Sequence, residues 1–400
     1  MAFASANQKS PGYSQPANSG EAVSPIRALA NKGENASCAE CGARPTSVVG
    51  LETGGTFACV ACAAVYRRLG FRTRSVDRDS WQPAELASLL GNLAVAQELE
   101  RNLPAFYRRP KPHAVGEADA IRHQFVLAKY RRREFCDPAL QAAYHRMGGG
   151  GGFTKEGQLW KRSKDSDKYF SRIFELSERD NYLRYFVKDG SAREVKATIP
   201  IDRLNVTMVG VAVEGSHPNL MQILYPDQGR TRSLYVYHEQ EQEIISWYNA
   251  IRGCKYYRYR VSLLSPEELL RLPLTYDFAV CGWLAKTGPN QTEAWQRRWC
   301  FLLRRSLFYC AGFMEPRPRG EIWLGQRPAY SISAGPPPGF RKKVKPAGQH
   351  VFTLSTPDRD YVFSADSAAA CQQWLTAIDN LLDSSPTPQD CLYSMTRSNV

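Results

Sequence analysis

No continuous apolar run opens this 400-residue chain. Its first 25 residues are rich in Ser, Ala, Asn and Pro, which excludes a secretory signal or a membrane span there and leaves a disordered tail over 1–25 as the expectation. Heptad repeats are also missing, so nothing points to coiled-coil assembly and a monomer is expected. Acidic residues are in deficit: 39 Asp and Glu stand against 52 Lys and Arg, a formal net charge of +13. That balance calls for an acidic partner, which is nucleic acid, an anionic membrane leaflet or a phosphate-bearing protein site. Nucleic acid is disfavoured, because the aromatic residues do not interleave with the basic cluster and no recognition-helix pattern occurs. Cysteine is not scarce, at 11 residues. With no export signal, four thiolates at metal-ligand spacing and seven free thiols explain them better than disulfides, and the expected compartment is the cytoplasm.

Those four are Cys38-Ala-Glu-Cys41 and Cys59-Val-Ala-Cys62, two CxxC pairs separated by 17 residues. Each pair forms a tight knuckle offering two thiolates, and two knuckles complete the tetrahedral shell of one zinc ion. Arg67 stands five residues behind the last cysteine, in Arg67-Arg68-Leu69-Gly70 at the start of a helix, so the metal would fix where its side chain points. The alternative is a structural zinc ribbon with a solvated arginine. From Arg27 to Glu134, 17 Lys or Arg oppose 11 Asp or Glu, a net of +6, much of it in Arg67, Arg68, Arg72, Arg74 and Arg78.

A diverged internal repeat is the second strong signal. Gly157, Leu159 and Lys161 recur as Gly282, Leu284 and Lys286; Arg172 recurs as Arg298, Tyr185 as Tyr309 and Trp247 as Trp374, at offsets of 124 to 127. Such a period suits two copies of one domain rather than a solenoid. The first copy reads as strands at 172–176, 182–186, 220–225 and 233–237, closed by a helix over 239–252 that Gly253 would stop. Ile244, Trp247, Tyr248 and Ile251 form its buried face, with Trp247 plugging the open end of the sheet. The second copy has strands near 298–303, 351–354 and 361–363. Its closing helix is expected to be capped by Asp366 and to carry Cys371, Trp374, Leu375, Ile378, Leu381 and Leu382 on one stripe. A Pro- and Gly-rich insertion, 334–339, precedes the basic stretch Arg341-Lys342-Lys343 and Lys345, a loop suited to resting on a membrane.

Each copy resembles the pleckstrin homology (PH) fold, a seven-stranded sheet capped by a C-terminal helix bearing a Trp. The resemblance implies phosphoinositide binding through a Lys, an Arg, a Tyr and a further basic residue on successive strands. In this chain those are Lys161, Arg172, Tyr185 and Lys196, then Lys286, Arg298, Tyr309 and Arg319. Such a quartet suits phosphomonoesters, which take point charges from Lys, bidentate forks from Arg and a hydroxyl from Tyr. Phe170 and Gln296 stand where strong binders usually carry another base.

The cysteine segment resembles the Arf GTPase-activating protein (ArfGAP) zinc module over roughly residues 26–140. It does so through the cysteine spacing, Arg67, Gly55, Trp81, Gly91-Asn92, Glu100 and Phe125-x3-Lys129-Tyr130-x4-Phe135. An ArfGAP module before two PH domains is the layout of the ArfGAP with dual PH domains family. The resemblance implies a multidomain α+β chain whose first part is mostly helical, with one zinc ion and Arg67 as a finger supplied to an Arf-family GTPase. The implied partners are that GTPase and a membrane bearing phosphatidylinositol trisphosphate or bisphosphate, or soluble inositol phosphates; recruitment would be peripheral, to the plasma membrane. Departures are Ser47 where the family has a Trp, Ala63-Ala64, Tyr66 before the arginine, Arg78 and Ala96, expected to cluster on the GTPase-facing surface. A second reading is therefore a lipid-recruited adaptor on an ArfGAP fold with weak or no catalysis.

The expected organisation is a cysteine module at 26–145, a Gly-rich linker at 146–154, a first PH domain at 155–256, a linker at 257–277, a second PH domain at 278–384 and a tail at 385–400. Gly148–Gly152 reads as a joint that lets the cysteine module swing. The second linker reads as a short helix over 263–274 beside a packed PH pair.

Overall fold

The computed structural model describes residues 24–112, 119–141, 144, 146–148, 152–189, 192–210, 217–262, 265, 273–288, 294–340, 350–387 and 390. Most of both expected tails, the basic loop 341–349 and most of the 263–274 linker lie outside the described residues; within the tails, Pro25 already begins a helix and Asp390 is buried and pairs with Arg304.

In the cysteine module, α1 (Pro25–Ala30), α2 (Val60–Arg68), α3 (Pro83–Ala87), α4 (Gly91–Leu99) and α5 (Asp119–Val126) surround three short strands. These are β1 (Ser47–Val49), β2 (Thr56–Ala58) and β3 (Thr73–Ser75), in antiparallel order β2-β1-β3. Helix α5 runs on into one π-helical turn, Leu127–Arg131.

The first copy comprises β4 (Thr154–Arg162), β5 (Tyr169–Ser177), β6 (Tyr182–Asp189), β7 (Ala192–Pro200), β8 (Asn205–Met208), β9 (Leu220–Asp227), β10 (Arg230–Tyr237) and α6 (Glu241–Ser262). The second comprises β11 (Val280–Lys286), β12 (Gln296–Leu303), β13 (Ser306–Cys310), β14 (Gly320–Trp323), β15 (Ser331–Ala334), β16 (His350–Ser355), β17 (Asp360–Ala365) and α7 (Ala368–Asp383). Their sheet orders, β7-β6-β5-β4-β10-β9-β8 and β14-β13-β12-β11-β17-β16-β15, coincide on a shift of seven strands, so the repeat is one topology used twice. Trp247 and Trp374 are both buried where the closing helix covers the sheet, and a Cβ at Gly157 would touch the Trp247 ring. The stripe of α7 is core as expected, with Cys371, Trp374, Ile378 and Leu382 buried.

Three helix limits differ from the sequence reading. Arg67 does not start a helix: α2 opens at Cys59 and runs from Val60 to Arg68, so the arginine lies in its last turn. Gly253 does not stop α6, which continues to Ser262. A Cβ at this position would collide with Met147 Sδ, so the glycine is a notch for a neighbouring module rather than a terminator. The cap of α7 is Ser367, whose Oγ accepts from the Ala370 N–H at 3.1 Å, while Asp366 pairs with Arg297.

Nor does the cysteine module hang on a free joint. Phe106, Tyr107, Phe125, Phe135, Tyr144 and Met147 share one core with Trp247, Tyr248 and the first sheet. The Arg108 N–H donates to Asn249 Oδ1 at 2.8 Å, and Arg252 Nε donates to the Phe106 carbonyl at 2.8 Å. Apolar burial on this scale opposes the expected swing. The two copies also pack as a pair. Leu224 enters the cluster of Phe278, Trp299 and Phe301, the Ser233 N–H donates to the Pro316 carbonyl, and Arg317 pairs with Asp227.

Candidate functional site

The four cysteines converge. Cys38, Cys41, Cys59 and Cys62 are all buried, and their sulfurs lie within 4.8 Å of one another. A tetrahedron with metal–sulfur bonds of about 2.3 Å has edges of roughly 3.8 Å, so the donor set fits one ion. Cys41 Sγ and Cys59 Sγ are 3.5 Å apart. Cys59 is also the N-cap of α2 and Cys62 lies in its first turn, so a metal here would anchor the helix that ends at Arg67 and Arg68.

Arg67 is exposed and, among the described residues, its side chain has no hydrogen-bond or ion-pair partner. Two of its basic neighbours are committed elsewhere: Arg68 lies 3.9 Å from Asp119, and Arg74 pairs with Glu85 and covers the Trp81 ring. Beneath the helix, Tyr66 is fully buried and donates to Glu40 Oε1 at 2.7 Å. Glu40 sits inside the first knuckle and pairs with buried Lys129 at 3.0 Å; Lys129 also meets Glu100 at 2.7 Å. Burial and Glu40 push the Tyr66 hydroxyl well above its ordinary range, so it remains a donor. The motif residues Glu100, Lys129 and Tyr130 are thus the buried frame under the knuckle. Asn92 serves the same end by bonding the Phe57 N–H and the Ser37 carbonyl.

The departures do not cluster on one exposed surface. Ser47, Ala63 and Tyr66 are buried, and Ala64 and Ala96 are half-buried. Of the set, Arg78 is the exposed one. Ser47 pairs with Ala58 on one side and Ser75 on the other, where a small side chain fills a strand position.

In the second copy the four residues come together. Lys286, Arg298, Tyr309 and Arg319 line one cavity of about 330 Å³ together with Thr287, Gly288, Gln296 and Ala311. The Lys286 ammonium lies 4.9 Å from the Tyr309 ring centroid, and Tyr309 is register partner of Gly320, where a Cβ would strike the Tyr309 hydroxyl. In the first copy, Lys161 and Arg172 share the inner face with Leu159, because Leu159 pairs with Arg172 and Lys161 with Phe170. Lys161 lies 5.4 Å from the Tyr185 ring. Its ammonium is brought down to about 8 by burial first, then by Arg232, Arg172 and Arg162. Lys196 is the extra residue of a β-bulge, since Tyr185 pairs with Ala197 and Phe186 with Val195; it is exposed and pairs with Glu194.

Two cations escaped the sequence reading. Arg232, on the last strand of the first copy, acts on both Lys161 and Tyr185, and Arg359 stands beside Tyr361 and acts on Tyr309. The signal was present: their offset is 127, that of the Trp247 and Trp374 pair. Among the described residues no helix is long and apolar enough to cross a membrane.

Comparison with known proteins follows the same division. Residues 24–139 match the family of GTPase activating proteins for Arf, and residues 153–256 and 279–383 each match the PH domain. The chain is 33% identical over 372 residues to Arf-GAP with dual PH domain-containing protein 2 of Homo sapiens, covering 91% of this chain and 93% of that one. It is 31% identical over 373 residues to the protein of the same name from Rattus norvegicus, covering 91% and 94%. An ADP-ribosylation factor GTPase-activating protein of Arabidopsis thaliana is 32% identical over 122 residues, 29% of this chain and 35% of that one.

Proposed function

The chain belongs to the family of Arf GTPase-activating proteins with dual PH domains, and on that premise we propose that it is a phosphoinositide-recruited activator of Arf GTP hydrolysis with Arg67 as its finger. The observation that carries this reading is the state of Arg67: exposed, without a side-chain partner among the described residues, and set on a helix rooted in the cysteine knuckle. Zinc is the metal that Cys38, Cys41, Cys59 and Cys62 suit. Its contribution is structural, holding the start of α2 in place.

GTP hydrolysis spreads negative charge over the transferring phosphoryl group, and an arginine supplied in trans offsets it, worth on the order of 10³ to 10⁵ in rate. Preorganisation makes that charge effective, and a fixed helix narrows where the Arg67 guanidinium can be presented. The Tyr66–Glu40–Lys129 frame supports such fixity under Arg67. Lys161, Arg172, Tyr185 and Lys196, joined by Arg232, are the phosphate ligands assigned in the first PH domain. Lys286, Arg298, Tyr309 and Arg319 are those of the second, with Arg359 beside Tyr309. Two sites on one leaflet, that of the plasma membrane, would concentrate the module around a membrane-anchored GTPase. Burial of Ser47, Ala63 and Tyr66 favours catalysis over the adaptor reading, since these replacements lie inside the module rather than on its exposed surface.

The test is single-turnover GTP hydrolysis by a membrane-loaded Arf protein on vesicles with and without phosphatidylinositol trisphosphate. Wild type is expected to accelerate hydrolysis on the charged vesicles, and Arg67→Lys to lose about 10³-fold while binding them equally. Equal, negligible rates for both proteins, with vesicle binding intact, would establish the adaptor instead.

A further inference from the structure

Arg122 was marked by neither the cysteine spacing nor the motif residues around it. It lies on α5, more than 50 residues after the last cysteine, with little of its side chain exposed. Its Nη1 donates to Cys62 Sγ at 2.9 Å and its Nη2 to the Lys111 carbonyl at 3.1 Å, so the guanidinium is clamped between the cysteine cluster and the loop before α5. Among the described residues outside the four cysteines themselves, it is the side chain that donates to one of the sulfurs.

Four thiolates around a divalent ion leave a net charge of −2, here in a site whose sulfurs are all buried. A desolvated charge of that size is costly unless nearby donors offset it. The neighbouring carboxylate does not help: Glu40 adds negative charge and is already balanced by Lys129. We propose that Arg122 is the outer cation of the metal centre, donating to Cys62 and neutralising part of the tetrathiolate charge. In doing so it holds the metal and damps the reactivity of the Cys62 thiolate. This rests on the reading of the cysteine cluster as a zinc site. Charge-assisted bonds of this kind are stronger than neutral ones, and outer partners of metal ligands are worth about 10- to 100-fold in metal affinity.

The same helix gives the contact a second consequence. His123 Nδ1 lies 2.5 Å from Glu241 Oε1, and Gln124 Nε2 donates to the same oxygen at 2.7 Å. Glu241 opens α6 of the first PH domain. Residues 122–124 therefore bind the metal centre on one side and the lipid-binding half on the other, and the Arg122 to Cys62 bond is where that strut meets α2.

The experiment uses the full chain, wild type against Arg122→Met, which loses both charge and donor, and Arg122→Gln, which keeps an N–H donor without charge. Zinc content is measured first, then the rate of zinc transfer to a chromogenic chelator. The sulfur-to-metal charge-transfer band is recorded after cobalt(II) substitution. Release is expected to quicken at least about tenfold in Arg122→Met and less in Arg122→Gln. The cobalt band should move to lower energy, because a thiolate without its hydrogen bond gives up electrons more readily. Wild-type release rates and an unmoved band in both variants would overturn the proposal even if melting temperatures fall, since Arg122 would then only tie α5 to α2. Should Arg122→Met fail to fold, Arg122→Gln decides alone, and release at the wild-type rate sinks the idea. A wild-type chain purified without zinc, and unable to take it up, overturns both this proposal and the zinc reading; a metal-loaded chain with an indifferent Arg122 overturns the proposal alone.

Discussion

Lys161 and Lys255 are both cations that burial makes easy to discharge, and they make opposite predictions. In the first PH mouth, Lys161 holds its proton only below about pH 8, pressed by burial and then by Arg232, Arg172 and Arg162. An anionic headgroup needs the charged ammonium, so affinity should fall as pH rises through 8, by at most about tenfold per pH unit. Calorimetry with a soluble inositol phosphate at pH 7, 8 and 9, in an Arg298→Ala background that silences the second mouth, checks this. Lys161→Arg should flatten the profile, and a flat wild-type profile would show that Lys161 takes no part. Lys255 concerns stability instead. It is buried in α6 and brought down to about 7 by burial first and then by Arg304, with Asp202 opposing. Its folded-state value is below the unfolded one, so the unfolded chain binds a proton that the fold refuses between about pH 7 and about pH 10, and stability rises with pH across that window. Lys255→Met should therefore stabilise the protein at pH 7, by about 1–3 kcal/mol, with the gain shrinking toward pH 9. Thermal melts at the two pH values read it directly.

At the level of the element, Gly253 shows how a helix is shaped by what crosses it. Read along the chain, a glycine at the end of an apolar stripe is a stop signal; in the fold it is the groove that takes Met147. Gly253→Ala should cost about 1–3 kcal/mol through overpacking, although alanine is the better helix former. Met147→Ala should recover most of that loss, so melts of the two single variants and the double variant should be clearly non-additive. Additive melts would mean that Met147 is not what fills the groove. The case also marks the limit of what could be read beforehand. The stripes of α6 and α7, the strands and the cysteine knuckles were legible because each is a short-range pattern of period 3.6, period 2 or fixed spacing. Ser367 replaced Asp366 as cap by one residue, a choice made by backbone geometry that composition does not encode. Arg122, Arg232 and Arg359 were missed for another reason. Arg122 reaches its site only through helix packing across 60 residues, where nothing local distinguishes it from a solvated arginine, while Arg232 and Arg359 were marked in the sequence by nothing but their repeat offset of 127.

Across the whole molecule the three modules meet at one polar node. Arg108, from the cysteine module, has its N–H on Asn249 of α6 and its Nη2 2.6 Å from Asp277 Oδ2, at the entry to the second PH domain. Lys111 reaches the same carboxylate oxygen at 2.8 Å. Tyr248 and Arg252 of α6 both bond Thr275 Oγ1, two residues before Asp277. The Arg108–Asp277 pair is largely buried while Lys111 is half exposed, and removing one member of a buried pair costs more than an exposed pair contributes, because the remaining charge stays desolvated. Asp277 thus bears on the placement of Arg67 relative to the two PH domains. Asp277→Ala strips Arg108 and Lys111 of the carboxylate they share, and the entry to the second PH domain should part from the cysteine module at this seam while the core that module shares with the first PH domain holds. Small-angle scattering is expected to show a larger radius of gyration, with zinc content and inositol phosphate affinity unchanged. Hydrolysis on phosphoinositide vesicles should fall, while Arg67 itself remains untouched. A scattering profile identical to wild type would mean that the apolar contacts of Phe106, Tyr144 and Met147 hold the modules without the ion pairs. A larger radius with undiminished hydrolysis would mean that Arg67 finds its GTPase whatever the placement of the lipid-binding pair, leaving the second domain's attachment without a role in catalysis.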